Sequence, residues 1–552
     1  MKNQAYYYLR SRDEIISEVT SAFCAGLSPT TPVAPKRLAS VLLDKVVFEI
    51  IKENSHRAKI SELLNKYQIP PSLTPAMVAR LMDATYYIRN VNMMDKKGDS
   101  FVASKVLAVY INAGPAKGTY VSDADTLKQI AIGFEENLTE RDLNEVLKRL
   151  SLICKTVDRT MDQDLIAVNN GVFNFQTKKL LPFSSEYIFL YKLPVAYNPN
   201  AVNVTITADD GSKWDFESWM DSLSDDPDIV SLLWEILSAL VRPFVSWDKS
   251  FWFTNEKGCN GKGTLISLMR SLCGNTAISI PLSQFSSRFG LANIIGKTAV
   301  LVDENDVGDF IENLANYKAV VTGDEIIVER KHENVVNYTF RGITVFCIND
   351  KPRIKDRTQS LYRRIAVVPF DHCFTGKERK EIKDDYLKRQ EVLEYVLYRV
   401  LHMWTYSFTI PESCLRALEE YKVENDPIRQ FAEEILPQIT WDFAPFDFLF
   451  ELYKCWFRKN NPNGRIEGSK KFNRAIVSIV DEGGTGWMSI PDNAPKRVGL
   501  LMDGPEYLIA EYEVSSWYNR IYCGHDLCKI CSPELKEIYR GIQRIEPHEK
   551  AS

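Results

Sequence analysis

The chain has 552 residues, 45% hydrophobic and 26% charged, with a formal net charge of −5. That length predicts about three to four domains, each able to bury its own core. The acidic balance excludes a protein that coats nucleic acid by bulk charge, but not one that gathers its basic groups in a channel. The sequence shows no apolar run of membrane-spanning length (about 18 residues) and no signal-peptide core. Its eleven cysteines are mostly scattered in apolar runs (Cys154, Cys273, Cys347) and read as thiols of a reducing cytoplasm.

In chain order, residues 1–75 contain helical-looking segments, one of them over residues 41–51, with a Pro/Thr/Ser loop over residues 26–35 before it. Residues 76–150 mix helices, and Thr139 is placed to cap one of them. A primase centre would need clustered carboxylates for two metals and a nearby histidine. Only His56 precedes residue 300, and no carboxylate pair stands on an apolar strand before residue 160. No polymerising centre is therefore expected, and the region reads as a helical collar or partner-binding part. Residues 200–227 are polar and turn-rich and are expected to close it; residues 229–241 form a compact apolar helix.

The most informative stretch is residues 258–264, Gly-Cys-Asn-Gly-Lys-Gly-Thr, directly after an aromatic strand-like run, Phe251-Trp252-Phe253-Thr254. A strand feeding a Gly-rich loop with a lysine, then an apolar helix, is the layout of a phosphate-binding loop. Gly258, Asn260, Gly261, Lys262, Gly263 and Thr264 are the candidate nucleotide ligands, with Lys262 on the β- and γ-phosphates. The pattern departs from G-x-x-x-x-G-K-[ST] twice: Glu256 replaces the first glycine, and Gly263 replaces the hydroxyl residue. The metal-facing hydroxyl is then displaced to Thr264 or absent.

Residues 297–305 read Lys-Thr-Ala-Val-Leu-Val-Asp-Glu-Asn, an apolar strand ending in two carboxylates. Asp303 is assigned to Mg²⁺ and Glu304 to the attacking water. Two β-rich runs around a polar turn predict a hairpin near residues 325–340, with Lys331 and His332 at its tip. Residues 342–348 form a further strand, after which Asn349 can hold the water or the γ-phosphate. Arg363 and Arg364 precede another apolar strand, where a guanidinium can spread charge over a transferring phosphoryl group.

This order of motifs resembles the superfamily-3 helicases, and more narrowly the phage, plasmid and poxvirus primase-helicase branch. Five motifs in order over about 120 residues carry the resemblance, and that branch often has Gly-Lys-Gly-Thr where Gly263 stands. The resemblance extends outward over residues 164–175 and 190–197, and over residues 424–431 and 452–456. It implies an α/β chain: an AAA+ P-loop ATPase core, a mainly helical N-terminal region and a C-terminal winged-helix domain. The expected divisions are 1–75, 76–227, 228–412, 420–518 and a Cys-containing tail at 519–552. The implied activity is an ATP- and Mg²⁺-dependent hexameric DNA helicase and replication initiator of a mobile element, in the cytoplasm of a bacterial host. Its partners would be single-stranded and origin duplex DNA, further copies of itself, and a separate primase or polymerase, with no membrane. A bifunctional primase-helicase and an ATP-switched origin-binding protein are the alternatives.

Residues 454–474 carry seven cations against one acid, Glu467, with Trp456, Phe457 and Phe472 interleaved. A helix capped by Ser469 would present Lys470, Lys471 and Arg474 to phosphates. Cys523, His525, Cys528 and Cys531 fall within nine residues. One short loop rarely offers four tetrahedral ligands, so a chance cluster is preferred over a zinc site.

Overall fold

The computed structural model describes residues 9–30, 34–61, 64–93, 105–255, 258–305, 310–311, 313–329, 335–349, 351–354, 356, 358–376, 379–460 and 466–546. They form two compact units. One holds residues up to Pro352 and Arg363–Cys414; the other holds Arg353–Tyr362 and Leu415 onward.

The first unit contains two main cores. The N-terminal one joins helices Arg12–Ala25, Pro35–Ile60, Pro75–Thr85, Ala124–Phe134 and Glu140–Ile153. Ile15, Leu42, Val46 and Ile50 are buried with Met77, Leu81, Leu127 and Val146. The expected division at residue 75 therefore cuts through one core, because the first two helices bury their apolar faces against the helices that follow. Thr139 caps its helix as expected, in a reciprocal box with Asp142, an arrangement typically contributing about 1 kcal/mol. A small sheet, with strands Ile88–Asn92 and Lys105–Tyr110 antiparallel, packs alongside.

The second core runs from Ile166 to Cys414. Its centre is a five-stranded, wholly parallel sheet. In spatial order the strands are Ala277–Ile278, Ala299–Val302, Ile343–Ile348, Ser250–Thr254 and Ile365–Pro369. The three middle strands are buried along their length, which explains their continuous apolar runs: a parallel sheet is covered on both faces. Helix Pro227–Leu240 packs into the same core as Phe173, Phe175, Trp214 and Trp219. The expected boundary at 227 thus falls inside a core too, since the segment before it supplies part of the apolar cover of the parallel sheet.

In the second unit a three-stranded antiparallel sheet, in the order Phe443–Pro445, Gly541–Arg544, Trp487–Ser489, accompanies helices Pro427–Ile435, Phe446–Asn460 and Ser469–Asp481. The region expected as a tail is therefore not one: Gly541–Arg544 is the sheet's central strand, and Cys531 lies in the core. Residues 353–362 belong here because Asn425 grips Ile354 from both sides. Its Oδ1 accepts from the Ile354 N–H at 2.7 Å, and its Nδ2 donates to the Ile354 carbonyl at 3.1 Å. Among the described residues no helix is long and apolar enough to cross a membrane.

Candidate nucleotide site and candidate nucleic-acid interface

Three neighbouring strands end at one place, the carboxyl edge where parallel α/β sheets bind ligands. Thr254 leads into the Gly-rich loop, Val302 into Asp303, and Ile348 into Asn349. The strand bearing Asn349 lies between the other two, so Asn349, rather than a carboxylate, is the direct neighbour of the loop lysine. Lys262 Nζ donates to Asn349 Oδ1 at 2.9 Å and to the Asn255 carbonyl at 3.4 Å. Lys262 is 4% exposed, and burial pushes its pKa down, partly offset by Cys347 and Asp303. A desolvated ammonium with a neutral partner is suited to an incoming anion.

The loop is shaped for close approach. Gly261 sits at φ +83°, where a Cβ would come within 2.7 Å of Leu223 Cδ2. Cys259 is also left-handed, at φ 54°, and its carbonyl accepts from the Phe374 N–H at 2.7 Å. Asn260 is buried, and its Nδ2 has no hydrogen-bond partner. An orphaned buried donor costs about 1–3 kcal/mol, and a phosphate oxygen at the loop would relieve it. The helix Lys262–Cys273 then begins with no side-chain cap, leaving its first N–H groups for an anion.

Gly263, the departure from the usual pattern, has a steric reason. A Cβ there would lie 2.7 Å from Asp303 Oδ1. The missing side chain is what admits the carboxylate, and Arg270 Nη2 ties the same helix to the Leu301 carbonyl at 2.8 Å. Asp303 is half-buried and Glu304 exposed at the strand end. Among the described residues no set of three His, Cys, Asp or Glu could hold a metal. Mg²⁺ needs fewer, since it keeps waters and takes one or two carboxylates plus phosphate. Asp303 fits that role, and Thr264 lines the adjoining cavity.

That cavity, about 500 Å³, runs from Cys259, Gly261 and Thr264 to Trp214, Trp219 and Phe374, with Arg379, Lys380 and Lys383 on its rim. Its size and its mixture of aromatic and cationic walls suit a nucleoside phosphate. None of these wall residues outside the loop was singled out in the sequence; only the density of Lys and Arg over residues 377–383 was there to be seen. His372 helps hold the wall: Nδ1 is 2.8 Å from the Ser222 carbonyl and Nε2 is 2.8 Å from Asp225 Oδ2.

The paired arginines separate. Arg363 is exposed. Arg364 is 9% exposed; its carbonyl accepts from Ser250 N–H at 2.8 Å, and its charge acts on the buried Tyr317 hydroxyl. The hairpin exists as an antiparallel pair, Glu325–Val328 with Val336–Thr339. Lys331 and His332 lie outside the described residues.

In the second unit Lys470, Lys471 and Arg474 are exposed on helix Ser469–Asp481. Lys471 is paired with Glu467 at 2.6 Å. The helix starts at Ser469 itself, after Gly468, with no side-chain cap; the expected Ser469 cap is absent because Ser469 is the first helical residue. Trp456, Phe457 and Phe472 are 3%, 4% and 0% exposed, so these aromatics serve the core and only the cations face outward. Cys523 and Cys528 face solvent while Cys531 is buried.

Three family descriptions match the chain: "D5 N terminal like" over residues 82–225, a family of unknown function (DUF5906) over 253–364, and "Poxvirus D5 protein-like" over 423–497. The Frog virus 3 (isolate Goorha) protein named "Putative helicase 022R" is 24% identical over 252 residues, 40% of this chain but 26% of the relative's length. The apo NrS-1 C-terminal region covers 86% of this chain and all of its own at 12% identity, with a TM-score of 0.40. JCV helicase covers 38% of this chain and 58% of its own at 18% identity, with a TM-score of 0.24; neither structural likeness carries weight at these scores. Two of the three matched regions carry D5 descriptions and flank the third, in the same order as the motifs, so the chain is similar to D5-type proteins on both sides of the Gly-rich loop and to a viral protein named as a putative helicase.

Proposed function

We propose that the chain is an ATP-driven DNA helicase acting in replication of a mobile element, working as a ring, most simply a hexamer. The observation that carries this is the convergence of Lys262, Asn349 and Asp303 at the carboxyl edge of one parallel sheet, beside an orphaned donor on Asn260. In this reading Lys262, Asn260 and the loop N–H groups bind the triphosphate, and Trp214, Trp219 and Phe374 flank the base. Asp303 and Thr264 hold Mg²⁺, which supplies charge neutralisation at the phosphates. Glu304 orients and polarises the attacking water, while Asn349 moves from Lys262 to the γ-phosphate.

The exposure of Arg363 favours it as the finger offered to a neighbouring subunit, and the burial of Arg364 favours a structural role. The antiparallel stem supports the hairpin as the element that grips one strand, with Lys331 and His332 on its phosphates. The second unit's main helices and three-stranded sheet, in the order helix, strand, two helices, strand and strand, support reading it as a winged helix, with residues 490–540 as an enlarged wing. Its helix Ser469–Asp481 then meets origin duplex through Lys470, Lys471 and Arg474.

The test is Glu304→Gln. It should bind ATP as the wild type does and lose turnover by about a hundredfold or more. Hydrolysis at the wild-type rate would remove Glu304 from the mechanism.

A further inference from the structure

The cation paired with Asp303 is not the loop lysine. Lys262 is turned to Asn349 and the Asn255 carbonyl. Lys383 Nζ, on the short helix Lys380–Asp384, lies 3.9 Å from Asp303 Oδ2. Asp303 is thus held between the side-chain-free face of Gly263 and this ammonium. Lys383 also lines the cavity with Gly261 and Thr264, so its long side chain reaches both the carboxylate and the space beside the loop.

We propose that Lys383 is a positioning residue that stands in for the metal's charge, holding Asp303 in place while the site is empty and turning to the phosphates once Mg²⁺ and nucleotide enter. The inference rests on this being the nucleotide site. The pair is well suited to exchange. Both side chains are nearly half exposed, 47% and 42%, so water screens the attraction and little is lost on separation. Without Lys383, Asp303 would face an incoming triphosphate with its negative charge offset less, a few ångströms from the loop. With Lys383 present that repulsion is reduced before the metal arrives. Arg379 does not replace it, because its Nε is engaged by Glu381 at 2.8 Å.

The consequence is a coupling between Lys383 and Mg²⁺ that a purely structural lysine would not show. The full chain is titrated with the fluorescent nucleotide mant-ADP, once in excess EDTA and once in excess Mg²⁺, as wild type, Lys383→Met, Lys383→Arg and Lys262→Ala. Lys383→Met should weaken metal-free binding about tenfold and Mg²⁺-supported binding about threefold or less, so its gain from Mg²⁺ exceeds the wild type's. Lys383→Arg should restore most of the metal-free affinity. Equal losses in both conditions, or none in either, would overturn the proposal. If Lys262→Ala abolishes binding while Lys383→Met behaves as wild type, this inference fails and the nucleotide site stands. If the wild type does not bind, or Lys262→Ala binds normally, the site assignment fails with it.

Discussion

The candidate nucleotide site and the basic helix of the second unit are built on opposite plans. At the first, groups far apart in sequence, Lys262 and Asn349 among them, are brought to one edge of a buried sheet, and each occupies a place that its neighbours define. At the second, Lys470, Lys471 and Arg474 are near neighbours in sequence and point into solvent, with Lys471 held by Glu467 one turn away. A convergent site should fail as a whole when one member is lost. An exposed strip should weaken in proportion to the charges removed. The same contrast separates chemistry from grip: buried groups can be tuned by desolvation, and exposed cations only attract phosphates.

The sharpest way to break the contrast is Lys262→Ala. Loss of the buried loop ammonium should reduce nucleotide affinity about a hundredfold or more, measured by equilibrium binding. A graded, severalfold loss would mean that the site is additive after all. Next comes Gly263→Ser, which restores the usual P-loop residue. It should lower ATP turnover about tenfold, because its Cβ would fall 2.7 Å from Asp303 Oδ1 and push the carboxylate from its place. Activity equal to or above wild type would show that Asp303 moves aside freely.

At the strip, Lys470→Ala alone should weaken duplex binding only a few-fold. Lys470→Ala, Lys471→Ala and Arg474→Ala together should lower the slope of log affinity against log salt by about two to three. An all-or-none loss from one substitution would make the strip a specific site. Lys471 should contribute least, since Glu467 already holds it.

The smallest expected effect is in pH. Hydrogen bonding to Asp225 is the main cause raising the His372 pKa above its ordinary value. A raised folded-state pKa means that the protonated form is favoured by folding. The stabilisation is then complete below the unfolded histidine pKa and is lost as pH rises through the folded value. The cavity wall at Ser222 should loosen over that window. His372→Gln should flatten the pH dependence of thermal midpoint there; an unchanged profile would remove His372 from the wall's support.

The same contrast explains what the sequence made legible. Short, ordered motifs identified the loop, the Asp303 strand, Asn349 and the basic run, because each is local. The contact between Lys262 and Asn349 was not legible, since it depends on which strands are neighbours. Nor was the reason for Gly263, which is the position of a carboxylate forty residues on. Trp214, Trp219 and Phe374 carry no motif, so nothing in the sequence sets them apart. The expected divisions at 75, 227 and 519 followed composition, yet the chain crosses each with shared cores or a shared sheet. A polar, turn-rich stretch such as residues 200–227 marks a surface loop as readily as a domain boundary.

The central claim is that ATP turnover at this site drives separation of DNA strands. It is tested most directly by strand separation of a forked duplex under ATP, with wild type and Glu304→Gln measured side by side. The account predicts steady separation by the wild type and none by Glu304→Gln, although the variant still binds ATP. A wild type that hydrolyses ATP without separating the fork, or a Glu304→Gln protein that separates it, would contradict the account.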